Sequence, residues 1–153
     1  MQTFLPESSF TDSASILDDK RLGKQRVEAK QIYLSLTDPD YGWKHHPAVK
    51  MWRGHEGSLL WYGQIMCVEW RIRGHEDSLY DYFHHAIGYG PLAHNDTLPP
   101  WVGDSRFHLS HRSNLMRKDP IHYSQYYAGV PNDLPYFWPT KEADYANHFS
   151  LAA

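Results

Sequence analysis

ILDDKRLGKQRVEAKQIYLSL, residues 16–36, carries the strongest structural signal in the chain. Wound at about 100° per residue, it places Leu22, Ala29, Ile32, Tyr33 and Leu36 on one narrow stripe. That stripe predicts one long helix with a single face in a core. Beside it, at helical spacings, stand Arg21, Lys24, Gln25, Glu28 and Gln31. Five Lys or Arg residues fall between Lys20 and Lys30, and Glu28 is the only acid among them. Nearby cations favour the charged form of a carboxylate, so Glu28 is expected to be ionised. Two readings fit this pattern. One is an ordinary solvated helix with Glu28 in an exposed ion pair. The other is a carboxylate displayed where an anionic polymer lies.

Composition bounds the choice. The 153 residues suffice for one domain, 1–153, with a sizeable core. Six Trp and eleven Tyr exclude a compositionally disordered chain. A net charge of −3 excludes a general basic coat for nucleic acid, but the charge is unevenly spread. Residues 106–118 carry four Lys or Arg and no acid, whereas residues 76–104 carry acids and no Lys or Arg. Two basic patches on an acidic body suit local docking to a phosphate backbone. The single cysteine, Cys67, excludes an internal disulfide and fits a reducing cytoplasm. It lies in the apolar run LLWYGQIMCVEW and is expected in the core. No signal peptide or membrane span is visible, so no membrane partner is expected, and the chain is read as a cytoplasmic monomer.

Working outward from the central run, residues 1–6 read as an extended, mildly apolar arm. Asp12 and Ser13 are the expected N-caps of the first helix. A Pro and Gly turn at residues 37–42 ends it. His46 and Pro47 start a short second helix. Residues 58–73 are apolar over most of their circumference and predict a buried central helix flanked on several sides. Further helices are expected at 77–87 and 105–118, with a restart at Asp119 and Pro120. Between them, residues 94–103 read as a loop. From Val130 onward, Pro131, Pro135 and Pro139 among aromatics predict an irregular strap, and the last dozen residues are expected to fray. Trp52, Trp61, Trp70, Tyr62 and Phe83 are expected in the core. No period-two strand is present. The fold class is therefore all-α: one compact domain of four to five helices with an aromatic, Pro-rich C-terminal strap.

The eleven histidines raise the question of a metal. His45 and His46 are adjacent, as are His84 and His85, and His108 with His111 is spaced i, i+3. Yet no HExxH or CxxC occurs, so no metal is expected. No Walker loop or GxGxxG occurs either, and no nucleotide or other cofactor is expected. A metal-dependent hydrolase and a non-catalytic DNA-binding module stay open beside a DNA enzyme.

Four blocks carry a likeness to a known family: LDDKRLGKQRVEAKQI (17–32), HHPAVKMWRGHE (45–56), EWRIRG (69–74) and SHRSNLMRKDPIHYSQYYAG (110–129). Together they resemble the pyrimidine-dimer DNA glycosylase (endonuclease V) family, most closely its bacterial branch. The resemblance implies a repair glycosylase with an associated abasic-site lyase step, with double-stranded DNA as its partner; it acts on pyrimidine dimers or another damaged or modified pyrimidine and flips a base out of the duplex. It aligns Asp19 and Leu22 with the family's helix and Glu28 with its catalytic glutamate. The family's nucleophile is the free N-terminal amine, which forms an imine with the sugar. An α-amine has a pKa of about 8, so a useful fraction is neutral where a lysine is not. Characterised members begin Met-Thr and expose the Thr amine. Here residue 2 is Gln, whose bulk keeps the initiator Met, so Met1 is the expected nucleophile. Arg21, Lys24, Gln25, Arg26, Lys30, His46 and Arg53 are expected at the DNA. His111, Arg112, Asn114, Arg117 and Lys118 are expected to share a concave face with Arg21, Lys24 and Arg26. Tyr123, Tyr126 and Tyr127 follow the second patch, where a flat ring can stack on a base.

Overall fold

The computed structural model describes residues 1–88 and 98–141. Asp18 divides the run that its periodicity reads as one helix. Its backbone is extended, and its carboxylate accepts the Arg21 N–H at 3.4 Å, capping a new helix. The result is α1, Phe10–Ile16, and α2, Asp19–Thr37. The cap of α1 is Ser9, whose hydroxyl accepts from the Asp12 N–H at 3.1 Å, rather than Asp12 or Ser13. Ser13 is instead buried inside α1, where its hydroxyl exchanges hydrogen bonds with both backbone groups of Glu7. Apolar spacing cannot register the break, because Leu17 before it and Leu22 after it are both fully buried.

Short α3, Pro47–Trp52, starts where expected, with Pro at a first-turn position. Its cap is the His46 ring, whose Nδ1 accepts the Ala48 N–H at 3.0 Å. The central helix α4, Glu56–Ile72, packs against α1, α2 and α5 (Tyr80–Ile87). Two glycines allow the close approaches. A Cβ on Gly63 would meet the Phe83 ring at 2.4 Å, and one on Gly23 would meet Trp70 at 3.0 Å. Helices α6, Ser105–Lys118, and α7, Pro120–Tyr127, pack on each other, with Asp119 as the hinge between them. These are seven helices among the described residues, where four to five were expected; the break at Asp18 accounts for part of the difference.

An aromatic core lies under the arm. The Trp52 and Trp101 rings meet edge to face at 4.8 Å, and Phe10, Tyr62 and Phe107 extend the group. Trp52, Tyr62, Phe83 and Cys67 are buried as expected. Trp61 and Trp70 are not. Trp61 lies on the outer side of α4, 48% exposed. Trp70 is half-buried between the Arg26 guanidinium at 4.6 Å and the His75 ring at 3.9 Å. Residues 130–141 hold neither helix nor strand, as the prolines require. This strap is fastened to α6: the Ser113 hydroxyl accepts the Leu134 N–H, and the Ser110 hydroxyl accepts that of Phe137. The expected fraying of residues 142–153 and part of the 94–103 loop lie outside the described residues. No helix among the described residues is long and apolar enough to cross a membrane.

Candidate active site

The N-terminal arm is held residue by residue. The Thr3 hydroxyl accepts from the Trp52 indole N–H at 2.9 Å. The Phe4 N–H donates to Gln25 Oε1 at 2.8 Å, and the Phe4 carbonyl accepts from the Tyr62 hydroxyl at 2.9 Å. Leu5 is clamped by two histidines one helical turn apart on α6. Its N–H donates to His111 Nδ1 at 2.9 Å, and its carbonyl accepts from His108 Nδ1 at 2.8 Å. Arg112 donates to the Pro6 carbonyl at 2.7 Å and to the Glu7 carboxylate at 3.1 Å, which also accepts from the Tyr127 hydroxyl at 2.7 Å. Phe4 and Leu5 are buried beneath these bonds, a gain of about 1.5–3 kcal/mol for each large apolar side chain.

This stitching aims the head of the arm at α2. The Gln2 N–H points to Glu28 Oε2 at 3.4 Å. The same oxygen accepts from Gln25 Nε2 at 3.2 Å. Gln25 thus spans arm and carboxylate, binding Phe4 with its oxygen and Glu28 with its nitrogen. Only the backbone of one residue separates the Gln2 nitrogen from the α-amine of Met1. Met1 itself is half-buried and packs on the core.

Cations from two helices lie within electrostatic reach of one another and of Glu28. The Lys118 ammonium has a lowered pKa, first through partial burial, then through Arg21, Arg117 and Lys24, with Glu28 opposing. The ends of α2 and α6 therefore share one electrostatic neighbourhood. Arg21 is also paired with Asp18 at 3.1 Å. Lys24, Arg117 and Lys118 are exposed. Such an arrangement offers a carboxylate and an amine to a polyanion held by lysine and arginine.

Not every residue expected at the DNA faces this neighbourhood. Gln25, His111, Asn114 and Tyr123 are almost wholly buried and have no surface to offer a ligand. They are braces. Asn114 donates to the Ser110 and Leu134 carbonyls at 2.7 and 3.2 Å, holding the strap, and accepts from Arg117. Tyr123 donates its hydroxyl to Asp18 and so ties α7 to the start of α2. Arg112 secures the arm. Arg26 turns away to the Asp77 carboxylate, whose side chain is fully buried and also receives the Leu79 and Tyr80 N–H groups. The Lys30 ammonium lies 4.5 Å over the Tyr82 ring. Arg53 is exposed and donates to the Lys44 carbonyl at 3.2 Å. Tyr126 is 48% exposed, beside His122.

Burial lowers the pKa of His46 first, and the positive charge of the chain's N-terminus, within electrostatic reach of the ring, lowers it further. With Nδ1 accepting from Ala48, the neutral ring carries its proton on Nε2. Around it runs an aromatic wall that sequence reading missed. Tyr136 touches Phe4 and His111 at 6.4 and 5.8 Å, Trp138 meets Tyr136 at 5.4 Å, and His46 meets Trp138 at 5.9 Å. Trp43 closes the series 6.2 Å from His46. Burial pushes the Tyr136 hydroxyl up to about 12, with Arg117, Glu28 and Arg21 acting on it in turn. The Glu28 charge is therefore felt at this wall. Proline content marked the strap as irregular, but nothing local said which of its rings would face the arm. Among the described residues, no three His, Cys, Asp or Glu side chains gather as a metal-binding group. The His108 and His111 spacing that invited a metal serves the Leu5 peptide instead.

A family model described as pyrimidine dimer DNA glycosylase matches residues 1–82. The matched part holds the arm, Gln25, Glu28 and His46, whereas the α6 clamps lie beyond it. No curated protein and no solved structure matches the chain.

Proposed function

This chain belongs to the pyrimidine dimer DNA glycosylase family, a family of DNA-repair enzymes, and we propose that it couples base removal to an abasic-site lyase step. Its substrate on this reading is duplex DNA carrying a pyrimidine dimer or another damaged pyrimidine. The observation that carries the proposal is the Gln2 N–H directed at Glu28 Oε2, 3.4 Å away, at the head of a fully tethered arm. The neutral α-amine of Met1 attacks C1′ of the damaged nucleotide as the bond from C1′ to the base breaks. The base leaves with the electron pair and takes up a proton. Of the two amine protons one is balanced by that taken up by the base and the other passes to O4′ as the sugar ring opens, which yields the imine. Glu28 stabilises positive charge on the sugar and accepts the C2′ proton as the 3′ phosphate departs. Arg21, Lys24, Arg117 and Lys118 hold the backbone phosphates on either side.

Pre-organisation is the role of the remaining contacts. An arm free to move would present its amine in many positions, and each lost constraint lowers the effective concentration of the nucleophile. Gln25 is a positioning residue, since it holds arm and carboxylate at once. The test is borohydride reduction on abasic duplex DNA, which converts the imine to a stable crosslink. A crosslink mapped to Met1 supports the mechanism. Strand cleavage with no trappable adduct would point to water as the nucleophile. Binding without either would leave a DNA-binding module. A panel of duplexes, each with one lesion, then separates a dimer pocket from one for a single altered pyrimidine.

A further inference from the structure

Trp43 is the one residue other than glycine among the described residues with a positive φ, at 67°. The left-handed region disfavours a large side chain, and such strain gathers where the surrounding structure needs a side chain aimed in an otherwise costly direction. The neighbouring Gly42 would take this conformation freely, yet the chain places the strain on the tryptophan. Trp43 is also 64% exposed, more than any other described tryptophan. A buried indole needs no explanation; a strained and exposed one does.

Its surroundings give the direction. The Trp43 carbonyl accepts the His46 N–H at 3.0 Å, fixing the turn that enters α3. The indole and the His46 ring meet at 71°. His46 in turn stands against Trp138 at 87°. At the far end of α3, the Trp52 indole holds Thr3, two residues from the chain's amine. The outer end of the aromatic wall is therefore an unsheathed indole, and its inner end lies over the arm.

We propose that Trp43 is a base-stacking residue of this site, taking the nucleobase face or the gap exposed when the damaged nucleotide leaves the duplex. The proposal rests on the DNA-repair reading above and names the group that distinguishes damaged from intact duplex. Phosphate contacts attract both equally. A free aromatic face gains only where a base face is uncovered, as at an abasic site. Trp43 is not needed for the covalent chemistry, so its loss should appear in discrimination rather than in the ability to form the imine.

The experiment compares binding to a duplex containing one tetrahydrofuran abasic analogue with binding to the same duplex intact, at several salt concentrations. Trp43→Ala should lower the preference for the damaged duplex by roughly 5- to 150-fold, the loss of one stacked base. The salt dependence should stay as in the wild type, because no charge is removed. Trp43→Phe should keep most of the preference. Trp43→Gly relieves the left-handed backbone and should melt no lower than the wild type while losing the preference. That pairing separates a functional ring from a structural one. Trp43→Ala with wild-type preference overturns the inference and leaves the repair reading intact. A wild-type protein with no preference for damaged DNA overturns both.

Discussion

On the proposed mechanism, Glu28 is the residue on which the chemistry turns. Glu28→Gln keeps size and hydrogen bonding and removes the charge. It should leave DNA affinity unchanged and slow strand cleavage by at least about 100-fold, within the usual range for a general acid or base. Single-turnover cleavage and an equilibrium binding curve on the same duplex check both halves; wild-type cleavage would remove Glu28 from the mechanism. Asn114 makes the opposite case. Asn114→Ala deletes buried hydrogen bonds to Ser110 and Leu134 and should cost about 1–3 kcal/mol in urea unfolding, with the salt dependence of DNA binding unaltered. A changed salt slope with unchanged stability would return Asn114 to the DNA. The contrast shows what was legible. Glu28 stood out because it is the lone acid in a basic helix face, which is a local pattern. Phe4 and Gln25 are 21 residues apart, Leu5 and His111 are 106, and Tyr123 and Asp18 are 105. No spacing rule reaches across those distances, so the braces looked like ligands.

Among the elements, the arm and α6 act as one unit. The sequence showed apolar residues near the start and a histidine pair on α6, but not that the pair would clamp the Leu5 peptide. His111 is fully buried, and desolvation followed by the neighbouring His108 pushes its pKa down to about 3. The unfolded chain, with histidine near 6.5, then binds more protons than the folded one between about pH 6.5 and 3. Stability attributable to His111 is therefore complete above that window and falls on acidification, by up to about 1.4 kcal/mol per pH unit. His111→Asn offers an oxygen near the Nδ1 position without a titrating group. Urea midpoints measured from pH 4 to 7 should show a shallower acid loss for this variant, with a remainder from His108, which burial also holds low. An unchanged slope would assign the acid sensitivity elsewhere. The division at Asp18 belongs to this scale too. Capping chemistry ends and restarts a helix there while the apolar stripe runs on through it.

For the whole molecule, a net charge of −3 and a cationic mouth imply binding that is local and salt-sensitive. Lys24→Gln and Lys118→Gln should each lower the log–log salt slope by about 1. Arg26→Ala should leave that slope alone and cost about 1–3 kcal/mol of stability, because it removes one of the two guanidiniums, Arg26 and Arg71, paired with the buried Asp77 carboxylate. Equal slopes for all three variants would mean that the mouth is not where DNA lies. The all-α class and the two basic patches were readable from composition and periodicity. The meeting of Arg21 and Lys24 with Arg117 and Lys118 around Glu28 came only with the packing of α6 and α7. If the amine at the head of the arm is the nucleophile, borohydride trapping on abasic duplex DNA captures it. Blocking that amine by acetylation, or extending the chain by one residue, should abolish the crosslink while leaving affinity for the duplex unchanged. Trapping at full yield from the blocked protein would contradict the assignment of Met1 as nucleophile.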